Sequence, residues 1–148
     1  MSLYFFDTSA LVKLYVQEPG TDRLLGLVDN RSENRLAVLS IATVEIRSAI
    51  RRRQRAGDIE ATVATGILEN VRSHMETRFI RQAVNEIVID TAHEMIDRYT
   101  LRAYDAIQLA GCLVLCGIAA DSYTFVCSDH RLLEAAGSEQ IQILDPTT

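Results

Sequence analysis

The stretch Leu3-Tyr4-Phe5-Phe6-Asp7-Thr8-Ser9 determines the fold expected for this chain. Its four consecutive apolar residues are typical of a strand buried on both faces, because such a strand has no polar side. Asp7, Thr8 and Ser9 then supply three residue types that begin helices, since their short side chains accept hydrogen bonds from the first free N–H groups. The stretch predicts a buried strand that passes directly into a helix, with an acid at the junction.

Strand-to-helix transitions of this kind recur along the chain. Further strands are predicted at Arg35–Leu39, Arg78–Gln82, Tyr123–Cys127 and Gln140–Leu144. Helices are predicted at Ala10–Val16, Thr21–Asn30, Ile41–Ala56 after a cap at Ser40, from a cap at Asp58 to His74, and at Asn85–Tyr99, Arg102–Gly117 and Asp129–Ala136. This alternation favours an α/β fold with a parallel sheet covered on both faces. In such sheets the functional crevice lies beyond the carboxyl ends of the strands.

Length and composition favour one domain over residues 1–148. The apolar content is 48%, no apolar run is long enough to cross a bilayer, and the first residues lack the features of a signal peptide. We therefore expect a cytoplasmic protein. Cys112, Cys116 and Cys127 show no zinc-like pairing with histidine and are expected to be small core residues.

The overall charge is acidic, with a formal net charge of −5 and a pI near 5.2. This argues against a broad electrostatic attraction to nucleic acid. However, fourteen of the fifteen basic residues are arginine, and five of these fall between Arg47 and Arg55 with no acid among them. If a few clustered acids were neutralised, the remaining surface would be close to neutral, so the acidity does not exclude a nucleic-acid substrate.

Four acidic residues lie in apolar surroundings: Asp7, Glu45, Asp105 and Asp129. Carboxylates avoid such positions unless they are paired or bind a metal. Asp7 and Asp129 follow predicted strands and Asp105 begins an apolar helical stretch, so an α/β sheet would gather them at one edge. Convergent carboxylates repel each other, and Mg²⁺ or Mn²⁺ with oxygen ligands relieves that repulsion most simply. The cluster indicates a metal-dependent phosphodiesterase.

Each acid also has a purely structural explanation. Asp7, Asp105 and Asp129 are well placed as helix caps, and this explanation is strongest for Asp129. For Asp7 it is weaker, because the two residues after it offer the same capping chemistry. Glu45 shares a helical face with Arg52, two turns away, so an internal ion pair with Arg52 or with a more distant arginine is its alternative.

Four segments resemble, in order, the four motifs of the PIN-domain ribonucleases, in particular the VapC-type toxins of prokaryotic toxin–antitoxin pairs. These segments are Tyr4–Tyr15, Ser40–Ile50, Leu101–Ala110 and Phe125–Ala136. The resemblance spans the chain and implies a three-layer α/β/α fold with a central parallel sheet. It also implies Mg²⁺- or Mn²⁺-dependent endoribonuclease activity, a homodimer, and inhibition by a cognate antitoxin.

The resemblance also implies the site residues. Asp7, Glu45 and Asp105 match the family's invariant acidic positions, and Asp129 matches a more variable fourth position. All four are therefore implied to be catalytic residues that hold the metal.

Near the fourth acid the chain departs from the family pattern. The family often has Thr or Ser two residues before that acid, where this chain has Cys127. The departure leaves open whether Asp129 holds metal directly or through a water. The hydroxyl groups of Ser9 and Ser128 are expected to orient the acids from behind.

Basic side chains supply candidate contacts to the substrate. The stripe Arg47, Arg51 and Arg55 recurs at every fourth position, and we expect it to contact RNA backbone or an acidic partner. Lys13 is a further candidate. Two other functions stay open: a PIN-like module that binds RNA or protein without cleavage, and a phosphatase with Asp7 as nucleophile. A phosphatase of that kind is expected to carry a second acid two residues later, where this chain has a serine.

Overall fold

The computed structural model describes residues 2–118 and 122–148, in which five strands and seven helices follow one another in the predicted order. The strands are β1 (Ser2–Phe6), β2 (Asn34–Leu39), β3 (Phe79–Gln82), β4 (Tyr123–Val126) and β5 (Gln142–Leu144). The helices are α1 (Thr8–Val12), α2 (Thr21–Asp29), α3 (Ala42–Arg55), α4 (Ala61–Thr77), α5 (Glu86–Arg98), α6 (Ala103–Ile118) and α7 (His130–Ser138).

The strands form one parallel sheet in the order β3-β2-β1-β4-β5. The central strand is β1, in which Phe5 pairs with Ala37 of β2 on one side and with Phe125 of β4 on the other. From β1 the chain builds outward to β3 and then crosses back to β4. This reversal creates a topological switch point between β1 and β4, and the crevice beyond their carboxyl ends is where a site is expected.

Both faces of the sheet are covered, because alternate side chains of each strand point to opposite sides. Phe5 packs in the core formed with α5, α6 and α7, whereas its neighbour Phe6 packs in the core formed with α1 to α4. In β2, Ala37 and Val38 divide between the two cores in the same way. The predicted three-layer α/β/α fold is therefore confirmed.

Helix α6 approaches the sheet closely at Gly111. A Cβ added at Gly111 would lie 2.5 Å from Cδ1 of Leu39 in β2, so a larger residue there would displace a buried side chain. The close approach fixes α6 against the sheet, with its N-terminal turn near the carboxyl ends of the strands. Asp105 lies in that turn.

Two predicted helix caps are wrong. Ser40 does not cap α3, which begins at Ala42 with no side-chain cap bond. Asp58 does not cap α4, which begins at Ala61. Instead, the Asp58 N–H donates to the Arg53 carbonyl in the turn that ends α3, and the same residue types favour such turns.

The cysteines are free and buried, as predicted for core residues. The Sγ atoms of Cys112 and Cys116 lie 3.7 Å apart on α6. Among the residues that the structure describes, no helix is long and apolar enough to cross a membrane.

Candidate active site

The four acids converge at the carboxyl edge of the sheet. Asp7 joins β1 to α1, Glu45 lies in the first turn of α3, Asp105 in the first turn of α6, and Asp129 begins α7 after β4. Their charges act on one another: Asp105 raises the pKa of both Asp7 and Glu45, and Asp129 raises the pKa of Asp105. The parallel sheet thus gathers acids from four separate segments.

Asp7 is the most buried of the four, with 5% of its surface exposed. Its carboxylate accepts hydrogen bonds from the Ser9 hydroxyl at 2.7 and 2.9 Å, from the Ala10 N–H at 3.0 Å and from the Cys127 thiol at 3.2 Å. Burial nevertheless raises the pKa of Asp7 to about 6, and the nearby charge of Asp105 adds to this shift. The Ala10 bond makes Asp7 the cap of α1, as its structural explanation requires.

Glu45 is half-buried and is bonded at one oxygen, because the Thr8 hydroxyl donates to Oε1 at 3.2 Å. Burial raises its pKa to about 7, the Thr8 bond opposes this, and the charges of Asp7 and Asp105 raise it further. The alternative explanation, an ion pair with Arg52, is not found in the described part of the chain.

Behind Glu45 lies a polar network that sequence reasoning missed. Gln108 donates through Nε2 to the Tyr104 hydroxyl at 2.7 Å and to the Thr8 hydroxyl at 3.2 Å. It is 1% exposed, and within residues 2–118 and 122–148 its Oε1 has no hydrogen-bond partner. A glutamine on an otherwise apolar helical face was the available signal, since a buried amide needs partners. The network connects α6 through α1 to Glu45.

Asp105 and Asp129 form the outer part of the cluster. Burial raises the pKa of Asp105, as does the charge of Asp129, whereas Arg102 opposes the shift from 3.9 Å. Asp129 accepts the N–H groups of Arg131 and Leu132 at 2.9 and 3.2 Å, both at Oδ1. The predicted cap at Asp129 is therefore confirmed.

The loop after β4 is bonded directly to the junction after β1. The Cys127 thiol donates to Asp7 Oδ2 and accepts the Asp129 N–H, each at 3.2 Å. The Ser128 N–H donates to the Ser9 hydroxyl at 3.3 Å. The Ser128 hydroxyl itself is buried and has no hydrogen-bond partner among the described residues. Ser9 therefore contacts an acid directly, whereas Ser128 contributes through its backbone.

The predicted basic contacts are distributed around α1 and α3. Lys13 is 7% exposed, and its Nζ lies 3.4 Å from a carboxylate oxygen of Glu18. Arg51 donates to the side chain of a neighbouring glutamine, and Arg47 and Arg55 are exposed. None of these four lines the cleft that Asp105 and Asp129 border.

The four acids offer carboxylate oxygens to a metal ion, but in the described residues they do not form a complete coordination site. In the described ranges 2–118 and 122–148, no three acidic, histidine or cysteine side chains are already grouped closely enough to hold a metal ion. Burial and mutual repulsion raise the pKa values of Asp7, Glu45 and Asp105, and carboxylate oxygens are the ligands that hard divalent cations prefer.

The first prediction concerns the dependence of stability on pH. Asp7 binds its proton more tightly in the folded than in the unfolded chain, because its pKa rises from 3.8 to about 6. Its stabilising contribution is therefore complete below pH 3.8 and is lost as the pH rises towards 6. In EDTA, the free energy of unfolding of wild type should fall relative to Asp7→Asn by about 2–3 kcal/mol across that window. Urea unfolding across the window measures this.

The matched control for that experiment is Asp97→Asn, which removes an exposed carboxylate from α5. Its difference from wild type should stay nearly constant over the same pH window. Parallel curves for wild type and Asp7→Asn would contradict the raised pKa.

The second prediction concerns the network behind Glu45. Thr8→Val removes the hydroxyl that bonds Glu45 and Gln108, so it should cost about 1–3 kcal/mol of stability and raise the pKa of Glu45 further. Thr8→Ser keeps the hydroxyl and should preserve that pKa. Carboxyl-carbon NMR titration of Glu45 checks both variants, and equal pKa values in the two would refute the role of the hydroxyl.

Comparison with known proteins agrees with this geometry. The family model of the PIN domain matches residues 4–137. Ribonuclease VapC35 of Mycobacterium tuberculosis is 31% identical over 144 residues, which cover 97% of each chain. Two solved structures share the fold: VapBC2 of Rickettsia felis bound to a promoter DNA fragment (TM-score 0.68, 11% identity, 96% of this chain and 97% of that one) and a toxin–antitoxin complex of Klebsiella pneumoniae (TM-score 0.65, 14% identity, 97% of each). The chain belongs to the PIN-domain family, among its VapC-type members.

Proposed function

We propose that the protein is an endoribonuclease that requires Mg²⁺ or Mn²⁺ and hydrolyses RNA phosphodiester bonds. The observation that carries this proposal is the convergence of one buried and three half-buried carboxylates at the switch point of the sheet, where the charge of one acid raises the pKa of another. Kinship with a protein named as a ribonuclease supports RNA as the substrate.

The donor set fits a hard divalent cation. Asp7, Glu45 and Asp105 offer carboxylate oxygens, and such oxygens are the ligands that Mg²⁺ and Mn²⁺ prefer. Among the described basic side chains, Arg102 alone comes within 4 Å of these acids, and its side chain is 89% exposed. Their repulsion is therefore not neutralised from within the protein. These three residues would hold the ion, and Asp129 would hold it directly or through a water.

When bound, the cation would lower the pKa of a coordinated water and stabilise negative charge on the phosphate. The chain's own contribution is to fix the acids beforehand. Ser9, the Ala10 N–H and Cys127 hold the Asp7 carboxylate in one orientation. Asp105 lies in the first turn of α6, where the positive end of the helix dipole offsets part of the cost of its charge. Such fixed orientation lowers the reorganisation required during the reaction.

The biological setting is part of the same proposal. Two solved structures with this fold are a VapBC2 assembly and a toxin–antitoxin complex. They support a role for this chain as the toxin of a toxin–antitoxin pair, inhibited by a cognate antitoxin. We further propose, from the family resemblance, a single PIN-like domain that acts in the cytoplasm as a homodimer.

A non-catalytic PIN-like module that binds RNA or protein is the second candidate. It is favoured by one observation, namely that the described acids are not already grouped as a metal site. A phosphatase with Asp7 as nucleophile is disfavoured, because both oxygens of Asp7 already accept hydrogen bonds and the residue is 5% exposed.

The third prediction separates nuclease from binding module. Asp105→Asn should reduce RNA cleavage by about a hundredfold or more, because it removes a residue that holds the metal. It should leave folding nearly intact, since Asp105 is half-buried. Cleavage of a mixed structured RNA pool is measured with Mg²⁺, Mn²⁺ or EDTA, and Mn²⁺ binding is measured by calorimetry.

Asp97→Asn again serves as the control, and it should cleave and bind Mn²⁺ like wild type. Equal cleavage by Asp105→Asn and wild type would refute the site assignment. Unchanged RNA binding with neither cleavage nor Mn²⁺ uptake in wild type would favour the binding module.

A further inference from the structure

A cleft of about 550 Å³ opens beside the outer acids and has a cationic rim. Asp105 and Asp129 border it on the side of the candidate site, and Arg102, His130 and Arg131 supply its basic side chains beside Thr100, Leu101 and Ser128. The cleft lies where the start of α6 meets the start of α7. It therefore continues the candidate active site outward.

The two arginines of this rim are available to a ligand. The side chain of Arg102 is 89% exposed and lies 3.9 Å from Asp105, at the outer limit of an ion pair. Arg131 is exposed, and the bond that it makes to Asp129 comes from its backbone N–H. An exposed ion pair of this kind contributes little energy. Arg102 can therefore exchange it for a phosphate at little cost.

The charges of the cleft favour an anionic ligand, provided that a cation neutralises the neighbouring acids. Guanidinium groups match phosphate oxygens with two parallel hydrogen bonds. The carboxylates alone would repel the same anion, so they require a cation before a phosphate can bind next to them. A strand whose phosphates extend from the metal site to the arginines contacts both the bound cation and the guanidinium groups. An isolated anion contacts only one of the two.

We propose that this cleft binds the backbone of the RNA strand next to the phosphate that is cleaved, with Arg102 and Arg131 as its phosphate contacts. The assignment rests on the proposed ribonuclease function and identifies the path of its substrate. His130, exposed on the same rim, lies beside this path.

The arginine stripe of α3 is the rival surface, and its surroundings are less suitable. Arg47 lines a groove between α3 and α4 together with Leu68, Val71 and Met75. Arg72 and Arg81 line the same groove, so it too offers guanidinium groups to a phosphate backbone, but Glu76 also lines it and Arg72 is already paired with that acid at 3.8 Å. The proposed acids do not line it.

Direct binding of RNA tests the assignment without relying on cleavage. The probe is a short fluorescein-labelled oligoribonucleotide, and its anisotropy is measured at saturating Mg²⁺ in a Glu45→Gln background, which alters neither a helix cap nor a residue that lines the cleft. Arg102→Gln and Arg131→Gln should each weaken binding by roughly five- to tenfold. Each should also reduce the slope of log affinity against log salt concentration by about 0.7, because one phosphate contact is removed. Arg102→Lys should recover part of the loss.

Three comparisons decide the result. Arg31→Gln, which changes an exposed arginine before β2 at the opposite edge of the sheet, removes the same charge and should leave affinity within about twofold of the background. If Arg47→Gln and Arg55→Gln weaken binding while the cleft variants do not, the strand follows α3 and the assignment is wrong. If a labelled oligoglutamate peptide binds the cleft as tightly as the RNA, the cleft accepts an acidic peptide instead, and the assignment to RNA is overturned. Loss of binding in the cleft variants supports it even if the protein does not cleave.

Discussion

Burial of the Asp7 carboxylate at the end of the central strand is the constraint on which the rest of the site depends. A charge removed from water is tolerated only when hydrogen bonds replace the lost hydration. Ser9 and Ala10 supply bonds from the same junction, and Cys127 supplies one from the loop after β4. Stabilising one buried acid therefore ties two distant segments together, and the second segment positions Asp129.

The parallel sheet converts this local constraint into a cluster. Every strand ends at the same edge, so residues that follow β1, β2 and β4 meet although they lie far apart in sequence. Helix α6 adds Asp105, because Gly111 lets its backbone approach Leu39 closely and its first turn lies at that edge. Burial, and then the charge of neighbouring acids, raises the pKa values of Asp7, Glu45 and Asp105, and perturbed groups of this kind cluster at functional sites. Repulsion among these acids lowers the stability of the fold, and local destabilisation of this kind is typical of functional sites.

The architecture could be predicted from the sequence because its signals are local: short apolar runs, capping residues and glycine punctuation. The acids could be predicted as well, since a charge in an apolar run is conspicuous. The network behind Glu45 could not, because the contacts of Thr8 and Gln108 join residues a hundred positions apart and follow no spacing rule. The caps at Ser40 and Asp58 failed for a different reason: the same side chains stabilise turns as readily as helix starts.

The structural and chemical explanations of the acids turn out to be compatible. Asp7 and Asp129 each cap a helix through Oδ1, so substitution at either position disturbs the fold and the site together. Asp105 differs, because it is the third residue of α6. Within residues 2–118 and 122–148 the cation closest to its carboxylate is the exposed Arg102, at 3.9 Å. The helix determines where Asp105 lies, whereas Asp7 and Asp129 help to begin their helices. This is why Asp105, rather than the more deeply buried Asp7, separates the chemistry of the site from the stability of the fold.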